Sequence, residues 1–421
     1  MARITNPRQV HYLALEGGGG KGVTYLGAIR ALESLGVLPI DIDRRGENQI
    51  RGISGASAGA ITAMFLAMGY NAEQLQQVLS NPSTFTGFFD GPDTGISRLV
   101  DRNNRPEMRT DTPQGMAPMD HIRQRTQSIA RFSQIAAAFA FFVRSGLIGG
   151  RDNPIVAKLV SHPDHYLYNL LFDRGLFPGF APRRFLQNAV YGRLWDRLVR
   201  SRTAPGQPIP IMSVNGSEIN FTEFYNLTGV ELVITGANIT KHKPAVFSRR
   251  HTPNFPVAEA VGISMNLPVL FKPVVVEANV AAGPLNRRTD DYHGMWIDGG
   301  ILNNFPLHAF DHLMPQVSPR YPGLKPLHRN MLGLRLTDGP ARQGSAPPSG
   351  TMDIFIEHLG NIMGTVLFPS EEGQIRSEEE RSQTIDLYTY DLETTEFAPP
   401  ASKSATPVAE AESAVRNYFR G

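Results

Sequence analysis

The sequence predicts an α/β fold with three layers, in which a mostly parallel central sheet lies between helices. A short apolar run at residues 11–16 is followed by glycines and then by helical spacing over residues 23–35. A second apolar run, residues 49–53, leads through another glycine-rich turn into helical spacing over residues 60–68. Strand, tight turn and helix, repeated in this order, is typical of adjacent parallel strands joined by crossover helices.

The same alternation continues in the second half of the chain. Helical spacing predicts helices at residues 185–199, 256–264 and 351–366. Apolar runs predict strands at residues 209–214, 231–235, 245–247, 295–297 and 332–336. A linker-like loop, residues 339–350, precedes the last predicted helix.

We predict one large domain over residues 1–421, because single α/β domains of this length are common, although the length would also fit two or three average domains. Hydrophobic residues make up 41% of the 421 positions, which is enough for a substantial core. Residues 81–173 interrupt the strand–helix alternation and are rich in proline, glycine and arginine, so they are predicted to be an insertion. Residues 340–421 are predicted to be a C-terminal extension with helix and strand content.

Several classes of protein are excluded or disfavoured by what the sequence lacks. The chain has no cysteine, which excludes disulfides and thiolate metal sites. No apolar stretch approaches the roughly 20 residues of a membrane-spanning helix, and the N-terminus lacks a signal-peptide core. We therefore expect a soluble protein, cytoplasmic or exported without a cleavable signal. No metal-ligand cluster is evident, and we expect neither a metal nor a cofactor.

The first chemical motif is Gly55-Ala-Ser-Ala-Gly59, which matches the nucleophile-elbow pattern GxSxG. In such an elbow the serine lies on a sharp strand-to-helix turn whose neighbours must have almost no side chain. The hydroxyl of Ser57 would then lie at a helix N-terminus, where backbone N–H groups stabilise negative charge. A glycine-rich structural turn is the alternative interpretation.

The second motif is a glycine loop that has two competing interpretations. Its glycines fit the dinucleotide-binding pattern GxGxxG, with Asp41 or Asp43 as the acid that binds the ribose. A Walker loop is disfavoured because no serine or threonine follows the lysine. Alternatively, consecutive N–H groups form an oxyanion hole, and the serine elbow about 35 residues later favours this interpretation. The loop consists of Gly17, Gly18, Gly19, Gly20, Lys21 and Gly22.

A serine nucleophile needs a base, and the best candidate is an aspartate rather than a histidine. His242, His251 and His293 lie in polar stretches, and His308 and His312 occupy predicted helix positions. Asp298 instead ends a predicted strand and is followed by Gly299 and Gly300, which permit close approach of another backbone. Taken alone, Asp-Gly-Gly is also a common turn.

The three motifs in this order resemble those of the patatin-like phospholipases. Further similar segments are residues 175–179, 252–260, 266–271 and 296–306, and the resemblance covers about residues 10–340. It implies the patatin-like α/β/α fold and hydrolysis of lipid acyl esters by a serine–aspartate dyad. Ser57 resembles the nucleophile, Asp298 the base, and the glycine loop with Lys21 the oxyanion hole.

The resemblance implies a phospholipid or another lipid as substrate, with neither nucleic acid nor metal involved and with a protein activator as a possible partner. Two alternatives remain open at this point. A nucleotide-binding α/β enzyme would use GxGxxG to hold pyrophosphate. A catalytically silent lipid-binding or interaction protein would keep the fold without turnover.

Charge in the middle of the chain predicts contact with an anionic surface. Residues 98–202 carry 17 basic and 8 acidic side chains, although the net charge of the whole chain is only +2. Within them lies an apolar run, residues 135–143, that is too short to span a bilayer. We expect it to lie at a membrane surface or to cover the site, and an ordinary buried helix is the alternative. The residues assigned to membrane contact are Phe139, Phe141, Phe142, Arg123, Arg125, Arg131 and Arg144.

Overall fold

The computed structural model describes most of the chain, including the glycine loop, the serine elbow and Asp298. The described residues are 3–79, 84, 87–91, 95–102, 105–110, 118–126, 132, 134, 136–137, 154–202, 219–277, 292–313, 327–339, 377–392, 394 and 399–420. The strands are β1 (Tyr12–Leu15), β2 (Gly52–Gly55), β3 (Ser97–Arg102), β4 (Arg105–Thr110), β5 (Gly175–Phe177), β6 (Glu231–Asn238), β7 (Lys243–Ser248), β8 (Val269–Phe271), β9 (Val274–Val276), β10 (Gly294–Asp298), β11 (Met331–Thr337) and β12 (Thr384–Tyr388). The helices are α1 (Tyr25–Ser34), α2 (Ser57–Ala67), α3 (Ala72–Leu79), α4 (Pro118–Thr126), α5 (Pro154–Ser161), α6 (Pro163–Phe172), α7 (Phe180–Arg202), α8 (Phe221–Thr228), α9 (Val257–Ser264), α10 (Gly300–Asn303), α11 (Glu378–Ser382) and α12 (Ala401–Arg420).

The central sheet is mixed and mostly parallel, which confirms the predicted α/β fold. Its strand order is β12-β11-β1-β2-β6-β10-β9-β3-β4, and β7 pairs with β6 outside this path. The run from β12 to β6 is parallel throughout. Strand β10, which was predicted at residues 295–297, is antiparallel to both of its neighbours. A separate two-stranded sheet joins β5 to β8.

Successive side chains of a strand belong to two hydrophobic clusters, which lie on opposite faces of the sheet. On β1, Leu13 and Leu15 belong to the large core that α1, α2, α7, α8, α9 and α12 cover. The intervening Tyr12 and Ala14 belong to a smaller cluster with Phe310. Within the described residues, the members of this second cluster that lie outside the strands are Phe305, Leu307, Ala309, Phe310 and Leu327, so the helical layer of the fold is fullest on the first face.

Part of the predicted insertion is built into the central sheet. Strands β3 and β4 form a hairpin at the sheet edge, and β3 pairs in parallel with β9. The end of α6 is anchored by a buried ion pair, in which Lys272 Nζ lies 2.9 Å from Asp173 Oδ2. The polar and arginine-rich sequence of this hairpin has no alternating apolar pattern, so edge strands could not be predicted here.

The C-terminal region is likewise part of the domain. Strand β12 pairs in parallel with β11 at the sheet edge, and α12 packs against α1. The two helices approach so closely that a Cβ on Gly27 would lie 1.8 Å from the Val408 carbonyl oxygen. His308 joins the two parts of the chain, because its Nε2 lies 2.9 Å from Glu380 Oε1.

Some predicted elements lie outside the described residues. They are the strand at residues 209–214, the helix at 351–366, nearly all of the loop at 339–350, and Arg131, Phe139, Phe141, Phe142 and Arg144. Among the helices that the structure does describe, none has the length and apolar character needed to cross a membrane.

Candidate active site

Ser57 is the first residue of α2, two residues after the end of β2, and it has a backbone conformation that is rare for a residue with a side chain. Its φ is 47°, in the left-handed region, where the Cβ crowds the following carbonyl oxygen. The elbow brings the chain close to its neighbours on both sides. A Cβ on Gly55 would lie 2.4 Å from the Gly59 oxygen, and one on Gly59 would lie 2.4 Å from the Leu15 oxygen. Both glycines of the motif are therefore required by packing.

The pairing of strand β6 with β2 and with β10 places Asp298 beside Ser57. Gly55, the last residue of β2, is opposite Ile234 of β6, and Asp298, the last residue of β10, is opposite Gly236. Ser57 follows Gly55 by two residues, and Gly236 follows Ile234 by two. As a result the Ser57 hydroxyl donates a hydrogen bond to Asp298 Oδ2 at 2.7 Å.

Asp298 is fully buried, and its surroundings fix its orientation. Its Oδ1 accepts the Gly300 N–H at 2.7 Å, and its own N–H donates to the Asn266 oxygen at 3.0 Å. Burial raises the pKa of Asp298 to about 7, although the hydrogen bonds from Ser57 and Gly300 lower it in part. Gly299 permits this turn, since a Cβ there would lie 2.3 Å from the Thr235 oxygen.

Ser264 also contributes to the site, and the sequence analysis missed it. Its hydroxyl oxygen accepts the Ser57 backbone N–H at 3.0 Å, and it is the last residue of α9. The Gly299 N–H donates to the Ser264 carbonyl oxygen at 3.3 Å. Ser264 thus contacts the segments that carry Ser57 and Asp298, yet no local sequence pattern distinguishes it from other helix-terminal serines.

The glycine loop lies directly beside Ser57 and has two N–H groups available. A Cβ on Gly17 would lie 3.0 Å from Ser57 Cβ. The Gly17 N–H donates to the Asn304 oxygen at 3.0 Å, and the Gly20 N–H donates to the Thr394 oxygen at 2.9 Å. Among the described residues, the N–H groups of Gly18 and Gly19, which lie between these anchors, donate no hydrogen bond.

Lys21 and Gly22 have structural roles at the far side of the loop. The Lys21 N–H donates to the Gly18 oxygen at 3.1 Å, and the Lys21 side chain forms an ion pair with Asp338. A Cβ on Gly22 would lie 3.0 Å from Ala58 Cβ. The loop and the serine elbow are therefore packed against each other, with Lys21 directed toward Asp338.

The residues required by the competing interpretations make other contacts. Asp43 lies 2.6 Å from the Arg197 guanidinium, and Asp41 Oδ1 accepts the Asp43 N–H. His251 pairs with Ser248, and His308 pairs with Asp311 and Glu380. Across the described residues, no group of three or more histidine, aspartate or glutamate side chains is arranged to hold a metal ion.

The left-handed backbone of Ser57 predicts a difference in the free energy of unfolding between two variants. Ser57→Gly and Ser57→Ala both remove the hydroxyl, so they differ only by the Cβ. We expect Ser57→Gly to be more stable than Ser57→Ala by about 1 kcal/mol, because a left-handed backbone disfavours a Cβ. Urea unfolding of the two variants measures the difference. Equal stability, or greater stability of the alanine variant as at an ordinary helix position, would contradict a left-handed Ser57.

Comparison with known proteins identifies the family. The family model described as patatin-like phospholipase matches residues 13–311. The "Probable lipid hydrolase 463L" of Invertebrate iridescent virus 6 is 30% identical over 89 residues, which cover 21% of this chain and 26% of the viral protein.

Two solved bacterial structures show weaker similarity over longer stretches. VipD from Legionella pneumophila aligns with a TM-score of 0.44 and 16% identity, over 98% of this chain and 67% of VipD. ExoU from Pseudomonas aeruginosa, solved in complex with SpcU, aligns with a TM-score of 0.38 and 16% identity, over 100% of this chain and 53% of ExoU. The chain thus spans about half the length of ExoU and aligns with about a quarter of the viral protein. Because the family match covers well over half of the sequence, this chain belongs to the patatin-like phospholipase family.

Proposed function

We propose that this chain is a lipid acyl hydrolase of the phospholipase A type, with Ser57 as nucleophile and Asp298 as general base. The observation that carries the proposal is the 2.7 Å hydrogen bond from Ser57 Oγ to the buried Asp298 carboxyl. Nucleophile and base within hydrogen-bond reach, with the base oriented by a third group, is the arrangement of covalent acyl transfer. Here the Gly300 N–H is that third group.

The proposed reaction has two steps. In the first, Asp298 takes the Ser57 proton as Oγ attacks the acyl carbonyl, and the leaving lysolipid or alcohol receives that proton as the acyl–oxygen bond breaks. In the second, Asp298 takes a proton from water, the hydroxide attacks the acyl-serine, and the fatty acid leaves as Ser57 recovers its proton. Asp298 therefore returns to its starting state after each cycle.

The elevated pKa of Asp298 supports its assignment as the base. A proton acceptor is most effective when its pKa lies near the working pH, and an exposed aspartate with a pKa near 4 is a poor one. With a pKa of about 7, Asp298 is roughly half ionised at neutral pH and is a stronger proton acceptor than an exposed aspartate. This supports a dyad without histidine.

Placement of the glycine loop supports its assignment as the oxyanion hole. The available N–H groups of Gly18 and Gly19 follow Gly17, which packs against Ser57. Two backbone donors adjacent to a nucleophile can stabilise the charge that develops on the substrate carbonyl oxygen. The dinucleotide alternative gains no comparable support, since Asp41 and Asp43 bond to neighbouring protein groups.

Peripheral membrane contact and a protein activator remain part of the proposal. Arg123 and Arg125 are exposed on α4, where they can attract anionic head groups at about 1 kcal/mol per residue. Leu302, four residues after Asp298, is 45% exposed and adds an apolar side chain close to the site. The proposed substrates are phospholipids or other lipid esters.

The dyad generates the principal test of function. We expect Ser57→Ala and Asp298→Asn each to reduce esterase turnover by about 10⁴-fold or more, because nucleophile and base act as a unit. Turnover on short-chain and phospholipid esters, with fluorophosphonate labelling of Ser57, measures the loss. Asp43→Asn, at an exposed ion pair, is the control and should retain full activity. Substantial turnover in Asp298→Asn would show that another base operates, and no turnover by the wild type on any lipid ester would favour the silent lipid-binding protein.

The glycine loop generates a second test. Gly19 has a φ of 53°, and a Cβ there would lie 2.0 Å from the Thr394 oxygen, so Gly19→Ala must displace the loop. We expect turnover to fall by about 10²-fold or more. Gly36→Ala is the matched control, because Gly36 has a similar φ of 72° but nothing within 4 Å of its Cβ position.

For this second test, turnover of the two variants is compared at equal folded fraction. Full activity of Gly19→Ala, together with saturable thermal protection of the wild type by NAD or ATP, would instead support the dinucleotide interpretation.

A further inference from the structure

Asn304 connects the segment that carries Asp298 to the glycine loop. It lies six residues after Asp298, just beyond α10, and is only 6% exposed. Its carbonyl oxygen accepts the Gly17 N–H at 3.0 Å, and its side-chain Nδ2 donates to the Gly17 oxygen at 3.1 Å. Both polar groups of the Gly17 backbone are therefore bound by this one residue.

The side chain of Asn304 also fits closely against Gly17. A Cβ on Gly17 would lie 2.2 Å from Asn304 Oδ1 and 3.0 Å from Ser57 Cβ. Asn304 Oδ1 is buried without a hydrogen-bond partner among the described residues, which costs stability. The Asn304 amide therefore packs against Gly17 on the side of the loop that is close to Ser57.

A buried carboxylate fixes the orientation of the Asn304 amide. Nδ2 donates a second hydrogen bond to Glu16 Oε1 at 3.3 Å. The other oxygen, Glu16 Oε2, accepts the Leu336 N–H of β11 at 2.7 Å, and the Glu16 carbonyl oxygen accepts the Tyr25 hydroxyl at 2.6 Å. Through Glu16, Asn304 is therefore linked to β11 and to α1.

We propose that Asn304 is a positioning residue, which ties the oxyanion loop to the segment bearing the base. Gly17 is fixed at both of its backbone groups, so the next two N–H groups, of Gly18 and Gly19, are held beside Ser57. Because Asn304 lies six residues after Asp298, this contact fixes the position of the oxyanion donors relative to the base. This inference rests on the proposed function, and it assigns to Asn304 a role in stabilising the transition state rather than in substrate binding.

The test compares Asn304→Ala with Asn303→Ala, the same change at the adjacent and less buried asparagine. We expect Asn304→Ala to lower kcat by at least about tenfold with little change in KM, because misplaced donors weaken transition-state stabilisation selectively. The rate of Ser57 labelling by a fluorophosphonate should fall together with kcat, since the phosphoryl oxygen of this reagent accepts hydrogen bonds from the same N–H groups. The pH midpoint of activity should not move, because the contacts of Asp298 are unchanged. Asn303→Ala should match the wild type in all three measurements.

Thermal unfolding of each variant separates positioning from stability. If Asn304→Ala does not fold, Asn304→Ser, which keeps a polar group near Glu16, enters the same comparison. Wild-type kcat and labelling in folded Asn304→Ala, or failure of both variants to fold while Asn303→Ala folds, would overturn the positioning role. A wild type that neither turns over nor reacts with fluorophosphonate would instead refute the proposed function itself.

Discussion

The hydrogen bond between Ser57 and Asp298 is the interaction on which the rest of the site depends. Removing a carboxyl group from water is costly, and here the cost appears as a pKa raised to about 7. Three groups hold the pair in this arrangement by hydrogen bonds: the Gly300 N–H, the Ser264 hydroxyl and the Asn266 carbonyl. A buried carboxyl with an elevated pKa is also what a serine without histidine requires as a base.

The topology of the sheet brings distant parts of the sequence together in one site. The loop after β1, the elbow after β2 and the end of β10 all reach the same level of the sheet, although 241 residues separate Ser57 from Asp298. The antiparallel direction of β10 matters here, because its final residue pairs with Gly236 in the middle of β6. The strained φ of Ser57 then turns the hydroxyl toward the carboxyl.

Local motifs could be predicted from the sequence, whereas the contacts that hold them could not. Ser57, Asp298 and the glycine loop were predicted because glycines mark sites where backbones approach closely. Ser264 and Thr394 were missed because one contributes a single hydroxyl and the other a backbone carbonyl, which leave no pattern in a sequence. The β3–β4 hairpin was missed because its polar strands lie at the sheet edge, where one alternating apolar face is not required.

The most direct test of this account is the ionisation of Asp298 itself. In protein with ¹³C-labelled aspartate carboxyls, one resonance should be missing from Asp298→Asn, and in the wild type it should titrate at about pH 7. The base must be ionised, so kcat/KM should be low under acidic conditions, rise about tenfold per pH unit, and level off above the same midpoint. A carboxyl that titrates near pH 4, or a kinetic midpoint that stays near 7 while the Asp298 resonance titrates elsewhere, would contradict the assignment of Asp298 as the base.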